Sequence, residues 1–314
     1  RWPPMSRKLG TVRNIVRRLH CSHSVLYTII PFLPHRDTLA LLGRVMSEQL
    51  LIKPQDAVLE ITLNRPEKLN ALSDAMVRGL AAAVEDFASR RELRVMLIRA
   101  TGKYFTAGME LSADISPDVG GSTLDGRAWY RNKFHKLFDE LEAIEKPIVV
   151  AHQGPCLGGG LEMSLSCDFR LAAASARYAL PELDIGALPG SGGISRLTRI
   201  AGPHWARWLV MAGEQISADE ALSIGIVHAV YPDEDLDART RAFCRALAAR
   251  PYELLGLAKL SIELAADLAR DQARNVERIA NSVLFTGAEH KALVRAFLER
   301  QAAKRKKSRN NPPD

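Results

Sequence analysis

Short apolar runs alternating with helical patterns constrain this chain more than any other feature. Val58-Leu59-Glu60-Ile61-Thr62-Leu63 alternates as a half-buried strand. Val95-Met96-Leu97-Ile98 and Pro147-Ile148-Val149-Val150-Ala151 are apolar runs of strand length, and a further strand is expected near Phe169-Arg170-Leu171-Ala172. Ser73 is placed to cap a helix whose apolar face is Val77, Leu80, Val84 and Phe87, at steps of three and four. Residues 125–145 read as a second helix. Strand, helix, strand in repetition implies an α/β architecture. From Pro203 the pattern turns mainly helical, over 203–212, 217–224, 235–249, 251–283 and 288–302, and no internal repeat is visible. The expected organisation is a core over 46–202, a helical region over 203–303, and two ends, 1–45 and 304–314.

Charge separates the ends from the body. The 314 residues carry a net charge of +7. Residues 1–45 hold eight basic residues and one acid, Asp37; residues 304–314 hold five and one. The body between 46 and 303 is left with 30 basic and 34 acidic residues, so it has no strong electrostatic reason to bind a polyanion. Nucleic acid is not expected as its main partner. The first 45 residues are expected to be an extension outside the folded domain, with Met46 as a natural start and the cytoplasm as the location. The alternative is an Arg-rich, acid-poor leader directing the protein to an organellar matrix.

Other classes lose support quickly. The apolar stretch Val25 to Leu33 is broken by Pro31 and falls short of the about 20 residues that a membrane span needs. Cys21, Cys156, Cys167 and Cys244 form no pair motif. His20, Cys21 and His23 lie close together but lack the further ligands of a structural zinc site, so no metal is expected. Gly102-Lys103 is followed by Tyr104, which is wrong for a phosphate loop. Gly158-Gly159-Gly160 does not extend to a dinucleotide fingerprint, and Ser191 lies in Pro189-Gly190-Ser191-Gly192-Gly193, one glycine short of a nucleophile elbow.

Three segments carry chemistry together. Lys103-Tyr104-Phe105-Thr106-Ala107-Gly108-Met109-Glu110-Leu111 follows one strand; Gly154-Pro155-Cys156-Leu157-Gly158-Gly159-Gly160-Leu161-Glu162 follows the next; Leu180-Pro181-Glu182-Leu183-Asp184-Ile185-Gly186 leads into the Pro189–Gly193 run. Glycines at a helix mouth let backbone N–H groups approach a ligand, and the helix dipole favours developing negative charge there. Two such N–H groups from separate loops would make an oxyanion hole. Glu162 lies just inside that helix and Glu182 follows a proline twenty residues on, so two carboxylates could do acid–base work beside a polarised carbonyl. Singly, each piece is more often a plain turn or a dipole-favoured surface acid.

Jointly, the segments resemble the crotonase superfamily, and the enoyl-CoA hydratases in particular, over about residues 56–302. The resemblance begins with Asn64-Arg65-Pro66-Glu67-Lys68-Leu69-Asn70-Ala71-Leu72 and ends with Ala296-Phe297-Leu298-Glu299-Arg300. It implies a spiral of β-β-α turns followed by a helical C-terminal region that builds homotrimers, often paired into hexamers. It implies that the backbone N–H groups of Met109 and Gly159 hold the thioester oxygen. Glu162 would act as base on the water attacking C3, and Glu182 would deliver a proton to C2. Lys68, Leu69, Ala71, Ala107, Gly108, Phe297 and Arg300 would contact the CoA. No cofactor is implied, because CoA is part of the substrate. Residues 112–135 would form a lid over the acyl pocket.

The resemblance also ranks alternatives. Dienoyl-CoA isomerases place an acid eight residues after the second carboxylate, where this chain has Gly190. Δ3,Δ2-enoyl-CoA isomerases, the nearest rival, often lack the first glutamate; another crotonase-fold acyl-CoA enzyme using the same oxyanion hole is the further alternative. Three positions depart from the hydratase pattern: Glu110 for an aspartate, Ser112 for a lysine and Arg300 for a lysine. An RNA-binding relative on the same fold is the alternative from another class, suited only by the basic ends. Filter binding of RNA at increasing salt separates it from an enzyme: a chain lacking 1–45 and 304–314 is expected to leave RNA free.

Overall fold

The computed structural model describes residues 48–111 and 123–310. The expected leader at 1–45, the first part of the expected lid at 112–122 and the end of the tail at 311–314 lie outside the described residues. The strands are β1 (Leu50–Gln55), β2 (Val58–Leu63), β3 (Val95–Ala100), β4 (Ile148–His152), β5 (Cys156–Leu157), β6 (Phe169–Ala173), β7 (Arg177–Ala179), β8 (Ile216–Ser217) and β9 (Ala229–Tyr231). Six of them form one sheet in the order β1-β2-β3-β4-β6-β9, and β5, β7 and β8 form a smaller one. Only the β1–β2 pair of the large sheet is antiparallel, closed by a turn in which Asp56 takes a positive φ of 52°.

Burial on both faces explains why the strands read as near-continuous apolar runs. Leu59, Ile61, Leu63, Met96, Ile98, Ile148 and Val150 point into a large core. Their neighbours Val58, Val95, Leu97, Val149 and Ala151 point into a second core on the opposite face. The expectation of a half-buried β2 is corrected: all six of its residues are buried. Glu60 is tolerated there because Arg241 Nη1 lies 2.6 Å from its Oε2.

Helices α1 (Asp74–Ser89), α2 (Thr123–Tyr130), α3 (Lys136–Ala143) and α4 (Gly159–Leu165) belong to the layered part. Ser73 caps α1 by accepting the Met76 N–H at 3.2 Å, and Val77, Leu80, Val84 and Phe87 are its buried face, as the spacing predicts. The helix expected over 125–145 is α2 and α3 joined by a wide helical turn, Arg131–His135.

The remaining helices are α5 (Gly193–Val210), α6 (Ala218–Ser223), α7 (Leu236–Ala248), α8 (Tyr252–Asp267), α9 (Arg270–Thr286) and α10 (Ala288–Asn310). Two expectations change here. The helix expected at 203 begins at Gly193 and bends at Gly202 (φ 77°) before Pro203, so a glycine pair read as a turn is a helix start. The helix expected over 251–283 is split, because Leu268 and Ala269 adopt extended backbone with no glycine or proline to signal it. Strand β9 lies beyond residue 203 yet extends the large sheet. The helical region exposes large apolar side chains, among them Ile262, Ile279, Phe285 and Leu298.

One buried side chain fastens the loops beyond the strand ends. Asn70, fully buried with φ 53°, accepts the Arg65 N–H at 2.7 Å and donates to the carbonyls of Thr101 (2.7 Å) and Tyr104 (2.8 Å). Arg65 then grips Glu110 with two contacts, 2.8 and 3.2 Å. Asn70→Ala leaves the Arg65 N–H and the Thr101 carbonyl without this partner, while Tyr104 O keeps Gln153 Nε2 at 2.9 Å; the loss is expected to cost on the order of 2 kcal/mol, read as a lower urea midpoint.

Candidate active site

Two loops that follow neighbouring parallel strands, β3 and β4, meet edge to edge. Thr106 N donates to Pro155 O (3.2 Å), and Leu157 N donates to Thr106 O (3.0 Å). This pairing sets Gly108 against Gly158 and Gly159. A side chain on Gly108 would lie 2.9 Å from Leu157 O and 3.3 Å from Gly159 N, and its φ of 96° also favours glycine. Gly158, at φ 51°, starts α4. Met109 and Gly159 are thereby brought into contact, Met109 Cγ lying 2.9 Å from where a Cβ on Gly159 would stand, and among the described residues neither N–H finds an acceptor. The Gly159 N–H also lies in the first turn of α4, where backbone donors have no partner within the helix.

Two carboxylates flank these groups. Glu162, in the first turn of α4 and only 4% exposed, accepts Ser191 N–H at 2.7 Å and Gly193 N–H at 3.0 Å, both through Oε1. Its Oε2 is 3.7 Å from where a Cβ on Gly159 would stand. Glu182 lies in the 3₁₀ turn Pro181–Ile185, which proline opens, with Oε1 3.0 Å from the corresponding point on Gly158. The buried Glu182 Oε2 has no hydrogen-bond partner among the described residues.

Their environments differ. Burial pushes Glu182 up from 4.5 to about 7, and the charge of Glu162 adds to the push. Burial also raises Glu162, but the Ser191 and Gly193 N–H groups and the Arg196 charge oppose it. Both acids are therefore raised by burial, but only in Glu162 do two backbone donors from another loop and an arginine charge hold the rise back.

The two carboxylates, Ala107, Gly108, Met109 and Gly159 all line one pocket of about 610 Å³. Its apolar wall includes Leu111, Trp129, Phe134, Ile185 and Leu188. Tyr130 lies against Gly190, and its phenol is raised by burial and by both glutamates. The described part of the expected lid, 123–135, is thus helical and contributes aromatic lining.

Lys68, Leu69 and Ala71 sit beside the pocket rather than in it: Leu69 O accepts the Ala107 N–H at 2.9 Å, and Lys68 is exposed. Phe297 and Arg300 are not brought to it. They lie on α10, which packs chiefly on α9, and Phe297 is exposed. Sequence reasoning missed Trp129, Tyr130 and Phe134, although their place in the expected lid was a signal. It also missed the backbone role of Ser191 and Gly193. Ser164 of α4, His152 and Tyr178 form a buried hydrogen-bonded chain (2.9 Å each), with burial pushing His152 down to about 3. Among the described residues no group of three or more His, Cys, Asp or Glu is arranged to hold a metal ion, and no helix is long and apolar enough to cross a membrane.

Comparison with known proteins gives the geometry a context. A family model described as enoyl-CoA hydratase/isomerase matches residues 53–308. The chain is 32% identical over 257 residues to a short-chain-enoyl-CoA hydratase of Clostridium acetobutylicum, covering 80% of this chain and 95% of the relative. It is 31% identical over 257 residues to a 1,2-epoxyphenylacetyl-CoA isomerase of Escherichia coli, covering 82% and 98%. A crystal structure of an enoyl-CoA hydratase subunit I from Geobacillus kaustophilus matches with a TM-score of 0.74 and 34% identity, covering 80% of this chain and 95% of that one.

The raised Glu182 has a consequence for stability. Between about 4.5 and about 7 the unfolded chain releases this proton while the folded protein keeps it, so stability from this group falls as pH rises through that window. Glu182→Gln removes the effect. Its thermal midpoint is expected to exceed the parent's at about pH 8 and to match it at about pH 4, where both side chains are neutral.

Proposed function

The chain belongs to the enoyl-CoA hydratase/isomerase family and has the α/β crotonase fold, and on that premise we propose that it adds water across the 2,3 double bond of a 2-enoyl-CoA thioester. The carrying observation is a single pocket in which two carboxylates of unlike environment flank two backbone N–H groups that have no acceptor among the described residues. In this reading the Met109 and Gly159 N–H groups bind the thioester oxygen and stabilise the enolate-like charge that develops on it. Glu162 removes a proton from the water that attacks C3, its orientation fixed by the Ser191 and Gly193 donors. Glu182, which holds a proton up to about pH 7, delivers one to C2. Proton removal and delivery by different groups suit an addition, in which both new bonds form on one substrate.

The pocket wall also bears on the acyl group. Among the described residues its lining holds the carboxylates Glu162, Glu182 and Asp184 and no basic side chain. A second carboxylate at the far end of the acyl chain would meet like charge from these residues. The proposed substrates are therefore uncharged, apolar enoyl chains, with the CoA moiety running past Lys68, Leu69 and Ala71. The exposed apolar side chains of α8–α10 support assembly into homotrimers or hexamers.

An isomerase reading has its own support in the isomerase relative and in the unpartnered Glu182 Oε2, since one carboxylate can move an allylic proton. Crotonyl-CoA hydration, followed by loss of the conjugated thioester absorbance, decides between the two. Hydration is expected, with kcat lowered about 10²–10⁴-fold in both Glu162→Gln and Glu182→Gln. No hydration, with conversion of a 3-enoyl-CoA that survives Glu162→Gln, would establish the isomerase instead.

A further inference from the structure

The loop that serves Glu162 is itself held from behind. Its Ser191 and Gly193 N–H groups face the carboxylate, while its other side faces the start of α5, where Arg196 is buried at 7% exposure. Arg196 Nη1 donates to Ser191 O at 3.2 Å. The rest of the guanidinium is clamped by two carboxylates of α3: Nη2 donates to Asp139 (2.7 Å) and Glu142 (2.6 Å), and Nε to Glu142 (3.0 Å). The preceding residue of the loop, Gly190, gives its carbonyl to His135 Nε2 at 2.7 Å. The loop therefore hangs from the same helical segment that carries Trp129, Tyr130 and Phe134 on the pocket wall.

Space behind the loop makes this tether consequential. A second cavity of about 270 Å³ is lined by His135, Asp139, Glu142, Ser191 and Arg196, with Arg199 also in its wall. Arg199 is occupied by Asp267 at 3.1 Å. With room behind the loop, and with His135 holding only the Gly190 carbonyl, the Ser191 carbonyl gains freedom to relax once Arg196 is removed.

We propose that Arg196 is a positioning residue for Glu162: braced by Asp139 and Glu142, it holds the Ser191 carbonyl so that the Ser191 and Gly193 N–H groups stay aimed at the carboxylate. This rests on the assignment of Glu162 as the base. The charged and titratable groups acting on Glu162 are Arg196 from α5, Tyr130 from α2 and Glu182 from the 3₁₀ turn, with Asp139 and Glu142 on the far side of Arg196. Loss of the tether weakens two donors to the Glu162 anion and removes a nearby positive charge. Both changes raise its pKa.

Two readouts test this. The first is kcat and KM for crotonyl-CoA as a function of pH in Arg196→Met, Arg196→Lys and Glu142→Gln. The second is the ionisation of Glu162 itself, followed by the infrared carboxyl stretch that Glu162→Gln abolishes. Arg196→Met is expected to lower kcat about 10- to 100-fold with KM little changed, to move the acidic limb of the profile to higher pH, and to raise the midpoint of the Glu162 band. Arg196→Lys restores part of each, and Glu142→Gln shifts each in the same direction by less. Unchanged kcat, limb and band midpoint in folded Arg196→Met would overturn the proposal; if that variant does not fold, the same result in Glu142→Gln overturns it. A parent that hydrates nothing, with a Glu162 band still shifted in these variants, sinks the hydratase reading and leaves the tether standing.

Discussion

The arrangement depends on one short piece of backbone pairing, the parallel bridge between Thr106 and Cys156. It joins the loop after β3 to the loop after β4, and two N–H groups remote in sequence become neighbours through it. Glycine is required where they touch, because a side chain on Gly108 would press on Leu157 O and Gly159 N. The parallel sheet supplies the rest. Adjacent parallel strands end on the same side, so their following loops converge there, and the α4 N-terminus opens at that convergence. Asn70 and the Arg65–Glu110 pair keep the first loop at that height from the opposite flank.

Electrostatics then separates two residues of one type. Glu162 and Glu182 share a pocket and both lose solvent. Glu162 regains two donors from another loop, the Ser191 and Gly193 N–H groups, whereas Glu182 has only a backbone hydrogen bond within its own residue to set against burial. Glu182 keeps an oxygen with no partner among the described residues and is pushed up to about 7. The difference comes from loop placement rather than residue identity, and loop placement is set in turn by α3 and α5 through Arg196. The site therefore spans the layered part of the chain and the first helix of the region that follows it.

What the sequence made legible follows from the range of each interaction. The Ser73 cap and the buried face of α1 lie within one helix, and the apolar runs of β3 and β4 reflect burial that any neighbour would impose. The family resemblance singled out Glu162, Glu182, Met109 and Gly159, and the structure brings all four to one pocket. Partners distant in sequence stayed hidden. Glu110 stood out only as a departure from an expected aspartate, although Arg65 grips it from 45 positions away. Arg196 carried no signal of its own, because its meaning lies in Asp139, Glu142 and the Ser191 carbonyl. The break at Leu268-Ala269 was invisible for a similar reason: nothing local forbids helix there. Phe297 and Arg300 were expected at the CoA, but the fold of one chain leaves α10 against α9, away from the pocket.

The central claim is that Glu182 reaches neutral pH carrying the proton that the substrate receives. The pH dependence of kcat/KM for crotonyl-CoA hydration reads the free enzyme's essential groups and so tests it most directly. A fall on the alkaline side, with its midpoint near about 7 and absent from the residual activity of Glu182→Gln, is the result this account requires. A profile that stays flat through neutrality, or an alkaline limb that persists unchanged in Glu182→Gln, would contradict it.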